Sequence, residues 1–309
     1  MSLVAIGACY VDTILTTPHY PSEDDKQRAS NVTRRRGGNC PNTLEVLQQL
    51  TNEELELNLI TVLPKRSSVA SQQIISELEP DIHLDHCIFR EQFEEPASCY
   101  IIKSLSTGSR TIVTYNELPD MTVAEFTQAF NDFSCEKTWF HFEGRTPDVT
   151  LGCIQYVRQR FPLARVSVEV ERPGRPGLPQ LAQEADVVFY SKAWAQSCGY
   201  TSTEEFLRQQ SVETQGPSLL CCTWGEDGAG ALMTDKERFT HVAAQTTENF
   251  RVVDPIGAGD TFIAGMLYAL NCKPQWDLRR QLEFANHIAG LKVSQEGFSG
   301  LNRALGCYD

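Results

Sequence analysis

The sequence predicts an α/β fold, with apolar strands buried in a parallel, doubly wound sheet and more polar strands set outside it. Three observations carry this. From about Val123 onward helices and short apolar strands alternate, the pattern of a parallel sheet with helices on both faces. The chain opens on a compact apolar run, Leu3 to Ala8, that reads as a buried strand. Near the other end a glycine-flanked turn, Asp254-Pro255-Ile256-Gly257-Ala258-Gly259-Asp260, leads straight into the apolar run Phe262 to Leu270, which reads as a buried helix.

At 309 residues the chain is long enough to bury a substantial core. Its 40 acidic against 27 basic side chains give a net charge of −13, which argues against a nucleic-acid or anionic-membrane surface. Any anionic ligand must therefore be held by local features. No basic-plus-apolar signal precedes the first strand and no apolar run approaches a bilayer span, so the expected compartment is the cytosol. The 11 cysteines are odd in number and lack a Cys-x-x-Cys spacing. Cys9, Cys153, Cys221 and Cys222 sit inside apolar stretches and read as reduced core residues.

Taken in order, Asp12 follows the first strand, where an acid is placed either for a ligand crevice or as a solvated loop residue. Gln27 to Arg36 is polar and suggests strands exposed on at least one face. Gly37-Gly38-Asn39-Cys40-Pro41-Asn42 precedes a largely apolar helix carrying Leu44, Val46, Leu47 and Leu50. Asn39 reads as its N-cap, and Asn42, three positions on, shares its face. Two amides beside bare glycine backbone suit the vicinal hydroxyls of a sugar, though capping alone would also explain them. Arg34, Arg35 and Arg36 by themselves read as a solvated charge run.

Leu57 to Leu63 reads as a strand and Ser67 to Glu79 as a helix. Two exposed strands are expected at His83 to Arg90 and Ala97 to Leu105, returning through a hairpin at Thr107-Gly108 into Arg110 to Tyr115. His83, His86 and Cys87 have near-ligand spacing but no second cluster, so no metal is assigned to them. Further strands are expected at Thr138 to Phe142, Val166 to Val170, Asp186 to Ser191 and Leu219 to Thr223. The first two end in polar residues, Glu143 to Arg145 and Glu169 to Glu171, where such sheets bind ligands. Trp224 to Leu232 reads as a tight turn and a returning strand, with Gly225 and Gly228 free to approach a nucleotide or merely to make a hairpin. Leu278 to Val293 gives an apolar-striped helix.

The Gly257-Ala258-Gly259 turn lies at a helix N-terminus, where unpaired amides and the helix dipole favour an anion such as phosphate. Asp260 would repel that anion unless it accepts a proton from an attacking hydroxyl, a pairing that suggests phosphoryl transfer. A plain loop with Asp260 as N-cap would satisfy the amides equally. A dinucleotide fingerprint is excluded because Phe262 stands where the third glycine should fall.

This turn resembles the D-T-x-G-A-G-D signature of the ribokinase-like (PfkB) carbohydrate kinase family, with Pro255 where that family most often has Thr. Gly37-Gly38-Asn39-Cys40-Pro41-Asn42 resembles the family's Gly-Gly-Asn-x-x-Asn element. Gly108-Ser109-Arg110-Thr111-Ile112, His141 to Arg145, Ser167 to Glu171, Asp186 to Lys192 and Gln295 to Phe298 resemble the ketohexokinase branch. The chain departs from many members at Ser191-Lys192, where an Asn-x-x-Glu element linked to magnesium and phosphate is common.

The resemblance implies a ribokinase-like three-layer α/β/α sandwich with a small β-sheet lid. Residues 1–12, 37–82 and 117–309 would form the core, and residues 13–36 and 83–116 the discontinuous lid. It implies ATP-dependent phosphorylation of a ketohexose such as fructose at its 1-hydroxyl. Asp260 would be general base and the Gly257, Ala258 and Gly259 amides the anion hole. Asp12, Gly38, Asn39 and Asn42 would orient the sugar, with Asp24 reaching the partner protomer's site. Arg110, Gly225, Glu226, Asp227, Gly228 and Asn286 would meet the nucleotide. Magnesium would arrive with ATP, a potassium ion would lie near the anion loop on backbone carbonyls, and two lids would clasp in a homodimer. A related kinase acting on ribose, a nucleoside or a modified sugar, and a catalytically silent sugar-binding regulator, are the alternatives.

Overall fold

Strands that are apolar at nearly every position can only be covered on both faces, and this decides where the chain's strands go. The computed structural model describes residues 1–51, 55–131, 133, 137–244 and 250–308. The N-terminal part runs β1 (Ser2–Ile6), β2 (Tyr10–Thr17), β3 (Asn31–Gly37), α1 (Asn39–Leu50), β4 (Glu56–Ile60), β5 (Val62–Pro64) and α2 (Val69–Leu78). It continues through β6 (Ile82–His83), β7 (Ile88–Arg90), β8 (Ser98–Ser104) and β9 (Arg110–Tyr115). Then come α3 (Val123–Ala129), β10 (Thr138–Phe142), α4 (Pro147–Arg160), β11 (Arg165–Val170), α5 (Leu178–Glu184), β12 (Val187–Tyr190), α6 (Lys192–Ser197) and α7 (Thr203–Glu213). The chain closes with β13 (Leu219–Thr223), β14 (Ala229–Met233), β15 (Arg238–Val242), α8 (Ala258–Cys272) and α9 (Leu278–Val293).

The large sheet has the order β15-β14-β13-β12-β11-β10-β1-β4-β6. It is parallel from β13 to β6; β14 is the returning strand expected after the Gly225–Gly228 turn, and with β15 it adds an antiparallel edge. One face is covered by α1, α2, α8 and α9 and the other by α3 to α7, giving three layers with a core on each side of the sheet. From β1 the chain first winds outward through β4 and β6, then restarts at β10 and winds the other way. The reversal falls between β1 and β10, and ligands in such sheets bind outside the strand ends at that point.

A second sheet, β3-β2-β8-β9, stands on the carboxyl end of the first. Its registers align Asp12 with Cys99 and Thr114, and Ile14 with Ile101 and Ile112, so these residues share one face. Thr13, Tyr100 and Val113 share the other.

Three expectations are corrected. β2 begins at Tyr10, so Asp12 is a buried residue inside a strand of the second sheet and not a loop acid after the first strand. The strand expected at Leu57 to Leu63 breaks at Thr61 into β4, in the large sheet, and β5, paired with β7. His83 to Arg90 does not join the second sheet. Buried Ile82 and Leu84 draw its start onto the edge of the large sheet beside β4, and Ile88–Arg90 pairs with β5.

Candidate active site

Gly257 caps α8 with φ 82°, and a Cβ there would lie 2.4 Å from the Phe298 ring, so only glycine fits the turn. Among the described residues the N–H groups of Gly257, Gly259 and Asp260 meet no acceptor, and they open the helix toward a cleft. Ala258, expected to point its amide the same way, donates instead to the Pro255 carbonyl at 3.3 Å. Unpaired amides at the positive end of a fifteen-residue helix are an anion site in waiting.

Asp260 is the third residue of α8 and not its cap. Asn42 Nδ2 donates to Asp260 Oδ2 at 2.8 Å, and Arg36 Nη1 donates to Asn42 Oδ1 at 3.3 Å. Each end of the Asn42 amide thus makes a hydrogen bond inside the protein, and through Nδ2 it aims the acid. Gly38, with φ 106°, is the N-cap of α1 and makes Asn39 the first helical residue, not the cap the sequence suggested. Asn39 Nδ2 donates to Glu169 Oε2 at 2.6 Å and to Glu171 Oε2 at 2.9 Å, and its side-chain oxygen has no hydrogen-bond partner among the described residues.

Burial and the nearby Glu169 push the Asp260 carboxyl well above its usual range, against the hydrogen bond from Asn42. Glu169 is pushed up to about 8 by burial and Glu171, and Glu143 to about 8 by burial and Glu169. Buried His141 is pressed down to about 3 and stays neutral, held by Ser167 at 2.8 Å and Glu169 at 3.1 Å. Among the described residues Cys40, His141 and Glu169 form the one group of metal-ligating types whose atoms lie within 4.8 Å of one another.

The two sheets enclose a cleft of about 550 Å³. Asp12, Cys99 and Arg110 line it from the second sheet, and Gly38, Asn39, Asn42 and Gly257 to Asp260 line it from the core. A Cβ on Gly37 would lie 2.4 Å from the Asp12 carboxylate, so the glycine makes room for that acid. A second cavity of about 270 Å³ adjoins Gly259 and Asp260 and runs past Glu171, Ser191 and Lys192 to Thr223.

Of the remaining expected residues, Asp24 is exposed on the β2–β3 connection and does not line the cleft. Gly225, Glu226 and Asp227 form a single 3-10 turn between β13 and β14, and Gly228 is required there because a Cβ would lie 2.1 Å from the Val242 carbonyl. Lys192 Nζ lies 3.9 Å from Asp227 and ties that turn to the second cavity. Buried Asn286 donates from Nδ2 to the Val242 carbonyl at 2.8 Å and so joins α9 to β15.

Sequence reasoning did not assign Glu143, Glu171, Arg145 or Arg175, all of which line the cleft. The polar ends of β10 and β11 were the signal for the first three. It also read Arg35 and Arg36 as solvated, whereas Arg36 is 5% exposed and Arg35 bonds Asp254 at 2.9 Å.

A family model described as pfkB family carbohydrate kinase matches residues 1–304. The chain is 31% identical to the ketohexokinase of Mus musculus over 306 residues, covering 97% of this chain and 98% of that one. Among solved structures it is similar to the ribokinase of Giardia lamblia, with TM-score 0.78, 16% identity and coverage of 100% and 99%. It is likewise similar to the Arabidopsis thaliana ribokinase complexed with ribose and ATP, with TM-score 0.73, 18% identity and coverage of 98% of each chain.

Proposed function

The chain belongs to the pfkB family of carbohydrate kinases, with a ribokinase-like fold, and from that premise we propose that it phosphorylates a ketohexose such as fructose at its primary 1-hydroxyl, using ATP. The observation that carries this reading is the placement of Asp260, fixed by Asn42 at 2.8 Å, beside the unpaired amides of Gly257, Gly259 and its own N–H. A base and an anion hole on the same helix turn serve the two ends of one event. Asp260 takes the proton from the attacking hydroxyl, and the amides hold the transferring phosphoryl group as charge develops on its oxygens.

Asp12 and the side-chain oxygen of Asn39 accept from sugar hydroxyls, and Gly38 allows close approach at the head of α1. Arg110, at the cleft side of β9, makes no side-chain hydrogen bond or ion pair among the described residues and, with Arg145, Arg172 and Arg175 on the same cleft, is a cation placed to meet the nucleotide phosphates. It supplies the local positive charge that a net charge of −13 denies. The nucleotide then runs along the second cavity toward Lys192, the Gly225–Asp227 turn and Gly228, with Asn286 behind the adenine side.

The second sheet acts as the lid. Its outer face carries Val32, Tyr100, Val113 and Tyr115, each at least 46% exposed, an apolar surface that a second copy would cover and that supports a homodimer, with Asp24 reaching the partner's cleft. Among the described residues no helix is long and apolar enough to cross a membrane. The described cysteines are free thiols, the state that a reducing cytosol would maintain.

Magnesium bound with ATP would neutralise charge on the phosphates. The exposed carboxylate of Glu171 fits its outer coordination. Ser191 does not fit, since its hydroxyl already donates to the Glu171 carbonyl at 2.7 Å and accepts from Trp194 N at 3.0 Å. Potassium near the anion loop does not fit either: the Val253 and Asp254 carbonyls already accept from Lys103 at 3.2 Å and Lys292 at 3.0 Å.

The test is Asp260→Asn. Turnover should fall by about 10²–10⁴ while calorimetry still registers ATP binding. Turnover at the parent rate would remove Asp260 from the chemistry.

A further inference from the structure

Asp254 begins the anion loop, yet it is 6% exposed and surrounded by donors. Its Oδ2 accepts from Lys292 Nζ at 2.8 Å and from Arg35 Nη1 at 2.9 Å, and its Oδ1 accepts from the Ile256 N–H at 3.0 Å. Its backbone carbonyl accepts a second bond from the same Lys292 ammonium, at 3.0 Å. Lys292 is itself fully buried in the last turn of α9, with its ammonium 5.0 Å from the centre of the Phe298 ring. Phe298 is the ring packed where a Cβ of Gly257 would sit. Just beyond Lys292, the Val293 carbonyl accepts from the N–H groups of Val253 and Asp254 at 2.8 and 3.1 Å.

The carboxylate and the backbone carbonyl of Asp254 and the negative end of a helix therefore converge beneath the anion loop, and such a place calls for a cation. An alkali ion from solvent, held by carbonyl and carboxylate oxygens, would answer the need. In this chain a tethered ammonium answers it: one cationic nitrogen bonds two oxygens of Asp254 and faces an aromatic ring. The pairing is strong enough to outweigh the burial of the acid, since the hydrogen bonds from Arg35 and Lys292 hold Asp254 at about 2 although burial works against its charge.

We propose that Lys292 is the resident monovalent cation of the anion loop, a positioning residue that makes the phosphoryl site independent of potassium. Through Asp254 it fixes Ile256, and through Ile256 the direction in which the Gly257, Gly259 and Asp260 amides point. Arg35 from β3 adds a second grip on the same carboxylate, so the loop is held from the core and from the second sheet together. The inference rests on the kinase reading for its rate measurement, and on the protein alone for its stability measurement.

The experiment compares the parent chain, Lys292→Ala and Lys292→Met in tetramethylammonium, potassium and ammonium chloride at equal ionic strength. Turnover with the best acceptor and the thermal midpoint are both read. The parent should change by less than about twofold in rate between salts. Lys292→Ala should lose about tenfold or more in tetramethylammonium, and potassium or ammonium should restore most of that loss and raise its midpoint, leaving the parent's midpoint unmoved. Lys292→Met, which keeps the buried stem and so protects the fold, should lose rate similarly with little rescue, because its side chain fills the place of an ion. Potassium raising the parent's rate several-fold, or a specific potassium rise in the parent's midpoint, would overturn the proposal. So would a Lys292→Ala that matches the parent in every salt. If no acceptor is turned over, the kinase reading fails, and the midpoints alone still decide between a tethered cation and an ion taken from solvent.

Discussion

β8 sends Cys99 and Ile101 into the cleft and β11 sends Glu169 into the cavity that adjoins it, yet five of six residues of β11 are buried and only three of seven of β8. The difference separates the work of the two walls. The core wall holds its groups in two bonded chains, Arg36 to Asn42 to Asp260 and Asn39 to Glu169 to His141, whose members leave each other little freedom. The wall made by the second sheet brings Asp12 and Arg110 to the cleft on strands solvated on their outer face. It is fastened to the anion loop by Arg35 on Asp254 and Lys103 on the Val253 carbonyl. Chemistry needs groups held to a fraction of an ångström, whereas admitting and releasing a substrate needs a wall that can part.

Glycines on the two walls sharpen that contrast most. A Cβ at Gly38 would lie 2.1 Å from the Ala8 carbonyl at φ 106°, so Gly38→Ala should destabilise by about 3 kcal/mol or more in urea unfolding. Gly108, in the β8–β9 hairpin, has φ 67° but open space around it, and Gly108→Ala should cost only about 1 kcal/mol. Equal losses would mean the two walls are equally constrained.

Next in size is Asn42→Ala. The hydrogen bond it removes favours the ionised Asp260, so the carboxyl should titrate still higher and kcat/KM should fall about tenfold or more at neutral pH. Activity requires the carboxylate and is lost as pH falls, so the acid limb of the pH profile should move to higher pH. A limb that stays in place would separate Asn42 from the base.

Arg110→Ala should raise KM for ATP about tenfold and leave KM for the sugar nearly unchanged. The reverse pattern would move Arg110 to the sugar side of the cleft. Smallest in its effect on one protomer is Val113→Asp, on the outer face at 60% exposure. It should leave the unfolding stability of an isolated protomer within about 0.5 kcal/mol of the parent and shift sedimentation toward the monomer. A parent that sediments as a monomer would remove the dimer from the account.

What could be read in advance follows the same division. Thr138–Phe142, Leu219–Thr223 and Leu278–Val293 lie where the sequence places them, because runs buried on both faces or striped at helical spacing leave one arrangement. β2 was missed because Asp12 interrupts its apolar pattern with a buried acid. Arg35 read as one of three solvated arginines because its partner, Asp254, lies 219 residues away and no local pattern announces it. Both halves of the proposed phosphate site, the glycine turn and Asp260 at the head of α8, could be proposed from sequence because they are contiguous. The acids Glu143, Glu169 and Glu171 stood out only as polar strand ends, and their effect on Asp260 was not legible because they meet it only when β10 and β11 lie beside α8.

The most direct measurement is ADP release by the purified protein with ATP and magnesium, across fructose, ribose, tagatose, xylulose, glucose, adenosine and no acceptor. The account predicts strong stimulation by fructose, with phosphorus coupled to the C1 protons of the product. Preference for ribose, adenosine or another acceptor would contradict the ketohexose assignment while keeping the base and anion hole. No stimulation by any acceptor would contradict the account as a whole.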